Sequence, residues 1–125
     1  MEEQIKALAR NLISTLSEKL GVTLGYDRAS VEWIDSYIER IRTSLDESAV
    51  DGLSNSIGAF LGECVIANHG GRWRESEGTW GVHFDKDNAA YPFAKVKKHL
   101  SNGNVDSVLS FYDVIPVVFA NSPEI

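Results

Sequence analysis

The chain has 125 residues and a net charge of −6, since 18 aspartates and glutamates outnumber 12 lysines and arginines. This length suits one domain, residues 1–125, with a hydrophobic core of its own. The acidic balance disfavours nucleic acid as a partner, because like charges repel, and the single cysteine excludes an internal disulfide. With no basic leader and no apolar run of membrane-spanning length in view, we expect a soluble cytoplasmic protein without a membrane role.

Two amphipathic helices are predicted in the first third of the chain. In the first, Glu2–Leu20, apolar residues recur every three or four positions, and Gly21 supplies the stop. Asp27 suits the N-cap of the second helix, which we expect to run from Arg28 to Leu45.

The middle of the chain predicts a helix that is apolar on almost every face and is therefore buried. Glu63 is the only ionised side chain within it, and Asp51 or Ser54 is expected to cap its start. Gly58 and Gly62 lie four residues apart on one face. Because they lack a Cβ atom, they indicate close approach of another helix.

A small antiparallel sheet is predicted to follow, once Gly70-Gly71 has ended the central helix. We expect one strand to begin at Arg72-Trp73 and a second to cover Thr79–Phe84, where apolar and polar residues alternate. A short third strand is expected over Ala89–Tyr91, with polar turns between the strands.

Two helices are predicted after the sheet. Pro92 suits the first turn of one, and Asn104 or Asp106 is expected to cap the other. Pro116 is expected to stop or kink that last helix, with Val117–Phe119 packing as an apolar tail. Helices around a two- or three-stranded antiparallel sheet make an α+β fold.

Short strings in the second half of the chain carry a resemblance to known proteins. They are Leu61-Gly62-Glu63, Gly70-Gly71-Arg72-Trp73, Pro92-Phe93-Ala94-Lys95-Val96, Asn102-Gly103, Asp106-Ser107 and Ser110-Phe111-Tyr112. Together they resemble a family of small bacterial proteins that share a domain of unknown function. The resemblance implies a bacterial, cytoplasmic origin and lends neither an activity nor a catalytic residue.

Cys64 is the obvious candidate for a nucleophile, if a histidine activates it. His69 lies five residues further on, about 140° round a helix, so the two side chains would not face each other. His83 and His99 could approach it only through the fold. Because cysteine is usually buried and the neighbouring residues are apolar, we expect Cys64 to pack in the core.

A carboxylate on an apolar helix has to be paired, protonated or directed into a cavity. We expect Glu63 to pair with a cation such as Arg72, Lys95 or Lys97, and we leave open a binding or acid–base role. Lys95, Lys97, Lys98 and His99 form a local basic patch, which is expected to be a solvated helix face.

The histidines, Asp85 and Asp87 match no standard metal template, so neither a metal nor a cofactor is predicted. Trp73, Trp80 and Tyr91 are expected to cover the sheet against the helices, or else to form the wall of a ligand pocket.

Given the acidic balance, the preferred interpretation is a non-enzymatic interaction module that binds a protein with a basic surface. An immunity-type protein that masks a basic toxin is one example. The alternative is a small-molecule-binding or enzymatic domain with a pocket between the central helix and the sheet. A homodimer joined by the apolar face of Glu2–Leu20 is a third interpretation. No catalytic residue is assigned, and the candidate binding residues are Glu63, Arg72, Trp73, Trp80, His83 and Lys95.

Overall fold

The computed structural model describes residues 1–119, which form five α-helices and a three-stranded antiparallel sheet. This is the α+β fold expected from the sequence, with helices at both ends. The elements are α1 (Glu2–Leu20), α2 (Arg28–Ile41), α3 (Glu47–His69), β1 (Arg72–Ser76), β2 (Thr79–His83), β3 (Ala89–Ala90), α4 (Pro92–Asn102) and α5 (Val108–Phe119).

Helix α3 lies at the centre of the molecule, as its apolar composition predicts. Its middle, from Ile57 to Leu61, is buried throughout, and α1 and α4 pack along it. Four residues of the apolar stripe of α1, Ile5, Ala9, Leu12 and Leu16, are buried against this core, whereas Leu20 is 54% exposed. None of the helices within residues 1–119 has the length and apolar character needed to cross a bilayer.

The N-cap of α3 is Asp46, and the prediction of Asp51 or Ser54 is wrong. The Asp46 carboxylate accepts a hydrogen bond from the backbone N–H of Ala49 at 3.0 Å. This bond satisfies one of the donors that a helix start leaves unpaired. Helix α3 therefore begins five or eight residues earlier than the apolar pattern indicates, which is between about one and a half and two turns.

Helix α2 begins where the sequence predicts and ends earlier. The Asp27 carboxylate accepts from the N–H of Ser30 at 2.8 Å, which confirms Asp27 as the N-cap. The α-helix stops at Ile41 instead of Leu45, because Arg42–Ser44 tightens into a 3-10 turn.

The two glycines of α3 are sites of close approach, but to different elements. A Cβ atom on Gly58 would lie 2.6 Å from the ring and 2.8 Å from the Cα of Phe93, so α4 is the close neighbour there. A Cβ atom on Gly62 would overlap the Trp73 ring of β1 and approach Pro92 at 3.2 Å. The predicted helix partner is therefore confirmed at Gly58, while a strand residue takes that place at Gly62.

Strands β1 and β2 form a hairpin, and β3 pairs with the other side of β2. Glu77 in the hairpin turn has a φ of 53°, followed by Gly78 with a φ of 79°, the geometry that suits the twist of a two-residue hairpin. Trp73 and Val82 are register partners and are buried on the inner face. The opposite face of the hairpin carries Arg72, Arg74 and His83, together with Gly81.

Helix α5 takes its cap from Ser107, and the prediction of Asn104 or Asp106 is wrong. The Ser107 hydroxyl oxygen accepts a hydrogen bond from the N–H of Ser110 at 3.2 Å. Asn104 and Asp106 belong to a 3-10 turn that comes before the helix.

Pro116 lies inside α5, so the helix continues past it to Phe119. The expected packing of the segment after Pro116 is wrong in part, since Val117 is 71% and Val118 60% exposed. Phe119 does pack, with its ring stacked on Phe84 at a centroid distance of 4.5 Å.

Candidate functional site

Basic side chains gather at the end of the hairpin where β1 begins and β2 ends. Arg72 and His83 are register partners, and Arg74 shares their face two residues along β1. Lys86 reaches the same place from the turn after β2. We call Arg72, Arg74, His83 and Lys86 the basic cluster. With their neighbours they line an open cavity of about 490 Å³, formed by Gly71, Arg72, Arg74, His83, Phe84, Asp85 and Lys86.

The arginines and the lysine of the basic cluster form no ion pair with another residue of the described chain, 1–119. Two lysines of α4, in contrast, do form ion pairs. Lys95 of α4 lies 3.1 Å from Asp106, and Lys97 lies 3.1 Å from Asp51. Lys95, a predicted binding residue, is thus engaged within the fold and stands apart from the basic cluster.

Among the described residues that line this cavity, Asp85 is the one with a carboxylate. It accepts hydrogen bonds from the backbone N–H of Asp87 and from the side-chain amide of Asn88, both at 2.8 Å. These bonds hold the carboxylate in the turn after β2. The cavity therefore combines three cationic side chains with one carboxylate that is committed to local structure.

Gly71 fixes the point at which β1 enters the cluster. Its φ is +90°, and a Cβ atom there would lie 2.7 Å from Val82 and 3.0 Å from Phe84. Only a residue without a side chain lets the backbone pass this close to β2. The adjacent Arg72 is therefore held directly over the end of the β2 strand.

Aromatic contact orients His83 within the cluster. Its ring meets Tyr91 edge-on, with centroids 6.5 Å apart, and Tyr91 in turn lies against the backbone of Gly81. The Nε2 atom of His83 is buried without a hydrogen-bond partner among the described residues. Among the described residues, the position of the ring is therefore set by its contact with Tyr91 and not by a hydrogen bond at this atom.

Glu63 pairs with an indole and not with a cation, so the expected ion pair is wrong. Its Oε2 atom accepts a hydrogen bond from Nε1 of Trp73 at 2.8 Å. Trp73 is only 4% exposed, and its ring packs on Phe93 with centroids 5.4 Å apart. Glu63 and Trp73 therefore join α3 to the inner face of the sheet.

Trp80 lies outside the basic cluster. It lines an apolar groove of about 450 Å³ between the start of α1, the hairpin turn and the start of α4, together with Tyr91 and Phe93. Within residues 1–119, His83 and Trp80 thus line two different cavities, and Glu63 lines neither of them. The groove beside Trp80 reaches α3 at Asn55, and further along that helix the side chains of Trp73 and Val82 lie between α3 and the sheet.

Cys64 packs in the core, as its apolar surroundings predict. The side chain is fully buried, and burial raises the pKa of its thiol far above the ordinary value. His69 is in ring contact with Tyr112 at a centroid distance of 4.5 Å. This arrangement suits a packing role and not a thiolate nucleophile.

His99 is the residue whose environment the sequence misjudged. It was expected on a wet helix face with the lysines, yet it is fully buried. Its Nδ1 atom accepts from the backbone N–H of Val108 at 3.2 Å, so the ring proton belongs to Nε2, which lies 2.7 Å from Oε2 of Glu39. The signal for burial was its position three residues after Val96 on the inward face of α4.

Asp35 completes the arrangement around His99. Its Oδ1 atom accepts from the Ser107 hydroxyl at 2.6 Å and from the N–H of Leu109 at 3.0 Å. These bonds satisfy the first turn of α5 and tie it to α2. The buried histidine and this carboxylate thus hold α2, α4 and α5 together.

Among residues 1–119, no group of three or more histidine, cysteine, aspartate or glutamate side chains is placed to hold a metal ion. Comparisons with protein-family models, with curated proteins and with solved structures each returned no match. The family resemblance drawn from short strings of the sequence therefore stays a prediction.

Proposed function

We propose that the protein is a non-enzymatic interaction module and that the basic cluster is its binding face. The observation that carries this proposal is the convergence of Arg72, Arg74 and Lys86 on one open cavity without ion-pair partners among residues 1–119. Their charge is therefore available to an outside group. The partner would present carboxylates or other anionic groups to the hairpin.

The charge of the remainder of the molecule strengthens this proposal. On a chain with a net charge of −6, three cations in one place without an ion-pair partner among residues 1–119 are a local exception. Such an exception lets an anionic group approach one face while the rest of the surface repels it, which gives orientation as well as affinity. The earlier prediction of a basic partner rests on net charge alone and stays a prediction.

A small anionic molecule is the second candidate ligand. The cavity volume of about 490 Å³ is the observation that favours it, since ligand sites commonly fall between about 300 and 1,000 Å³. Arginine forks match carboxylate and phosphate oxygens in a bidentate manner. In this case the protein would bind a metabolite and not a macromolecule.

The proposal is tested by titrating the protein with citrate and following backbone amide resonances by NMR. We expect changes confined to β1, the end of β2 and the turn that holds Lys86, weakening as salt is raised, because exposed charges are screened. Replacing Arg72 and Arg74 by alanine should abolish these changes.

The matched control is the double variant Lys97→Ala/Lys98→Ala, which removes the same charge from the exposed part of α4. It should bind citrate like the unaltered protein. Equal loss in both double variants would show a response to net charge alone, and changes outside the cluster would also overturn the proposal.

A further inference from the structure

Among the described residues, 1–119, strand β1 has one edge without a pairing partner. The sheet order is β1-β2-β3, so β1 pairs with β2 on one side only. Within residues 1–119, no backbone group of Arg72–Ser76 forms a hydrogen bond outside that pairing. All residues of the strand except Trp73 are exposed. An edge of this kind is a template for an added strand.

The other edge of the sheet is a poor template. Strand β3 has two residues, Ala89–Ala90, and α4 begins at Pro92 directly after it. Strand β1 has five residues, which is the usual length of a paired strand. An added strand would therefore lie beside β1, at the side of the hairpin that carries both arginines.

The charge of β1 determines the chemistry of the strand that could be added beside it. Arg72 and Arg74 share one face of β1, two residues apart, so their guanidinium groups would meet side chains at alternate positions of a neighbouring strand. Carboxylates at those positions would pair with them. A second copy of β1 aligned on the first would instead bring arginine against arginine, and a nucleic acid has no amide backbone to pair with the strand edge.

We infer that the partner engages the protein as an extended acidic peptide, which adds to the free edge of β1 as a fourth strand with its carboxylates on Arg72 and Arg74. This inference rests on the proposed binding role of the basic cluster. It adds the class of partner and the backbone pairing that a small anion cannot make.

The experiment uses an eight-residue peptide that alternates glutamate and threonine, with both ends blocked, titrated into the full chain and followed by calorimetry and NMR. A second peptide carries the same charges but has N-methyl groups on alternate residues, which removes the backbone donors that would face β1. We expect the first to bind at Arg72–Ser76, and N-methylation on the paired side to weaken binding about tenfold or more.

Charge reversal supplies the matched pair of variants. Arg74→Glu should weaken binding of the glutamate peptide about tenfold, since it replaces an attractive pair by a repulsive one. Lys98→Glu changes the net charge equally on exposed α4 and should leave binding unchanged. Circular dichroism of both variants checks that each remains folded.

The outcomes separate this inference from the function on which it rests. If citrate binds at the cluster but the peptide does not, or if the N-methylated peptide binds equally well, strand addition is wrong and anion binding stands. If a single-stranded oligonucleotide binds there in preference to the peptide, the class of partner is wrong. If none of these anions binds, both proposals fail together.

Discussion

At the scale of single residues, Glu63 shows how a sequence can identify an unusual side chain and still miss its partner. Its isolation on an apolar helix correctly marked it as a group that needs a partner. The residue that reaches it is Trp73, because the turn after α3 brings β1 back over the helix. A cation was expected because charged residues are visible in the sequence. The direction in which a turn sends the chain is not.

Glu63→Ala should lower the free energy of unfolding by about 1–3 kcal/mol, because the buried indole N–H of Trp73 would lose its acceptor. Glu63→Gln keeps a carbonyl oxygen at the same place and should cost clearly less. Urea denaturation followed by tryptophan fluorescence measures both. Equal losses in the two variants would show that charge, and not the hydrogen bond, stabilises this contact.

At the scale of whole elements, α3 is held by close contacts on one face and is open on another. Gly58 and Gly62 lie beneath aromatic side chains, while nothing lies within 4 Å of the place where a Cβ atom on Gly52 would stand. Glycine therefore has opposite effects on stability at different positions of the same helix. At the crowded positions glycine is required, and at Gly52 it only weakens the helix.

Gly62→Ala should destabilise the protein by about 1–3 kcal/mol, in spite of the better helix propensity of alanine, because the new methyl group would displace the Trp73 ring. Gly52→Ala makes the same chemical change on the same helix in open space, and we expect it to stabilise by about 1 kcal/mol. Thermal melts of the two variants are compared. A shift in the same direction for both would contradict this account of α3.

The elements themselves were predictable, and their ends were less so. Apolar periodicity and strand alternation located every helix and strand, whereas the caps at Asp46 and Ser107 depend on which side chain reaches a backbone N–H. Half of the basic cluster, Arg72 and His83, was named from sequence. Arg74 was missed, although its position two residues after Arg72 in a strand is the signal that places both on one face.

At the scale of the whole molecule, polar contacts between residues far apart in the sequence tie α2 to α5. Arg28 of α2 forms a two-pronged contact with Asp113 of α5 at 2.9 and 2.8 Å. The buried His99 connects the same two helices through α4. The apolar core is organised around α3, and these contacts fix the positions of the outer helices against it.

The stability of the fold should depend on pH because two helix N-caps are carboxylates. The hydrogen bonds from Ser30 hold the pKa of Asp27 below its ordinary value of 3.8, and bonds from Ser48 and Ala49 do the same for Asp46. A pKa that is lower in the folded state means that the ionised carboxylate favours folding. That contribution is present above about pH 4 and is lost as the pH falls toward the lower folded values.

We therefore expect the melting temperature to drop as the pH is lowered from about 5 to 2. The double variant Asp27→Asn/Asp46→Asn should show a smaller drop, because asparagine accepts the same capping bonds without titrating. Near pH 7 it should melt close to the unaltered protein. An equal acid-induced drop in both proteins would show that these caps do not carry the effect.

The enclosure of the lone cysteine has a practical consequence. Cys64 is inaccessible inside α3, and its thiol is scarcely ionised while the chain is folded. An alkylating reagent would consequently react only with molecules whose centre has come apart. The rate of that reaction therefore measures how often the core opens, and no engineered label is needed.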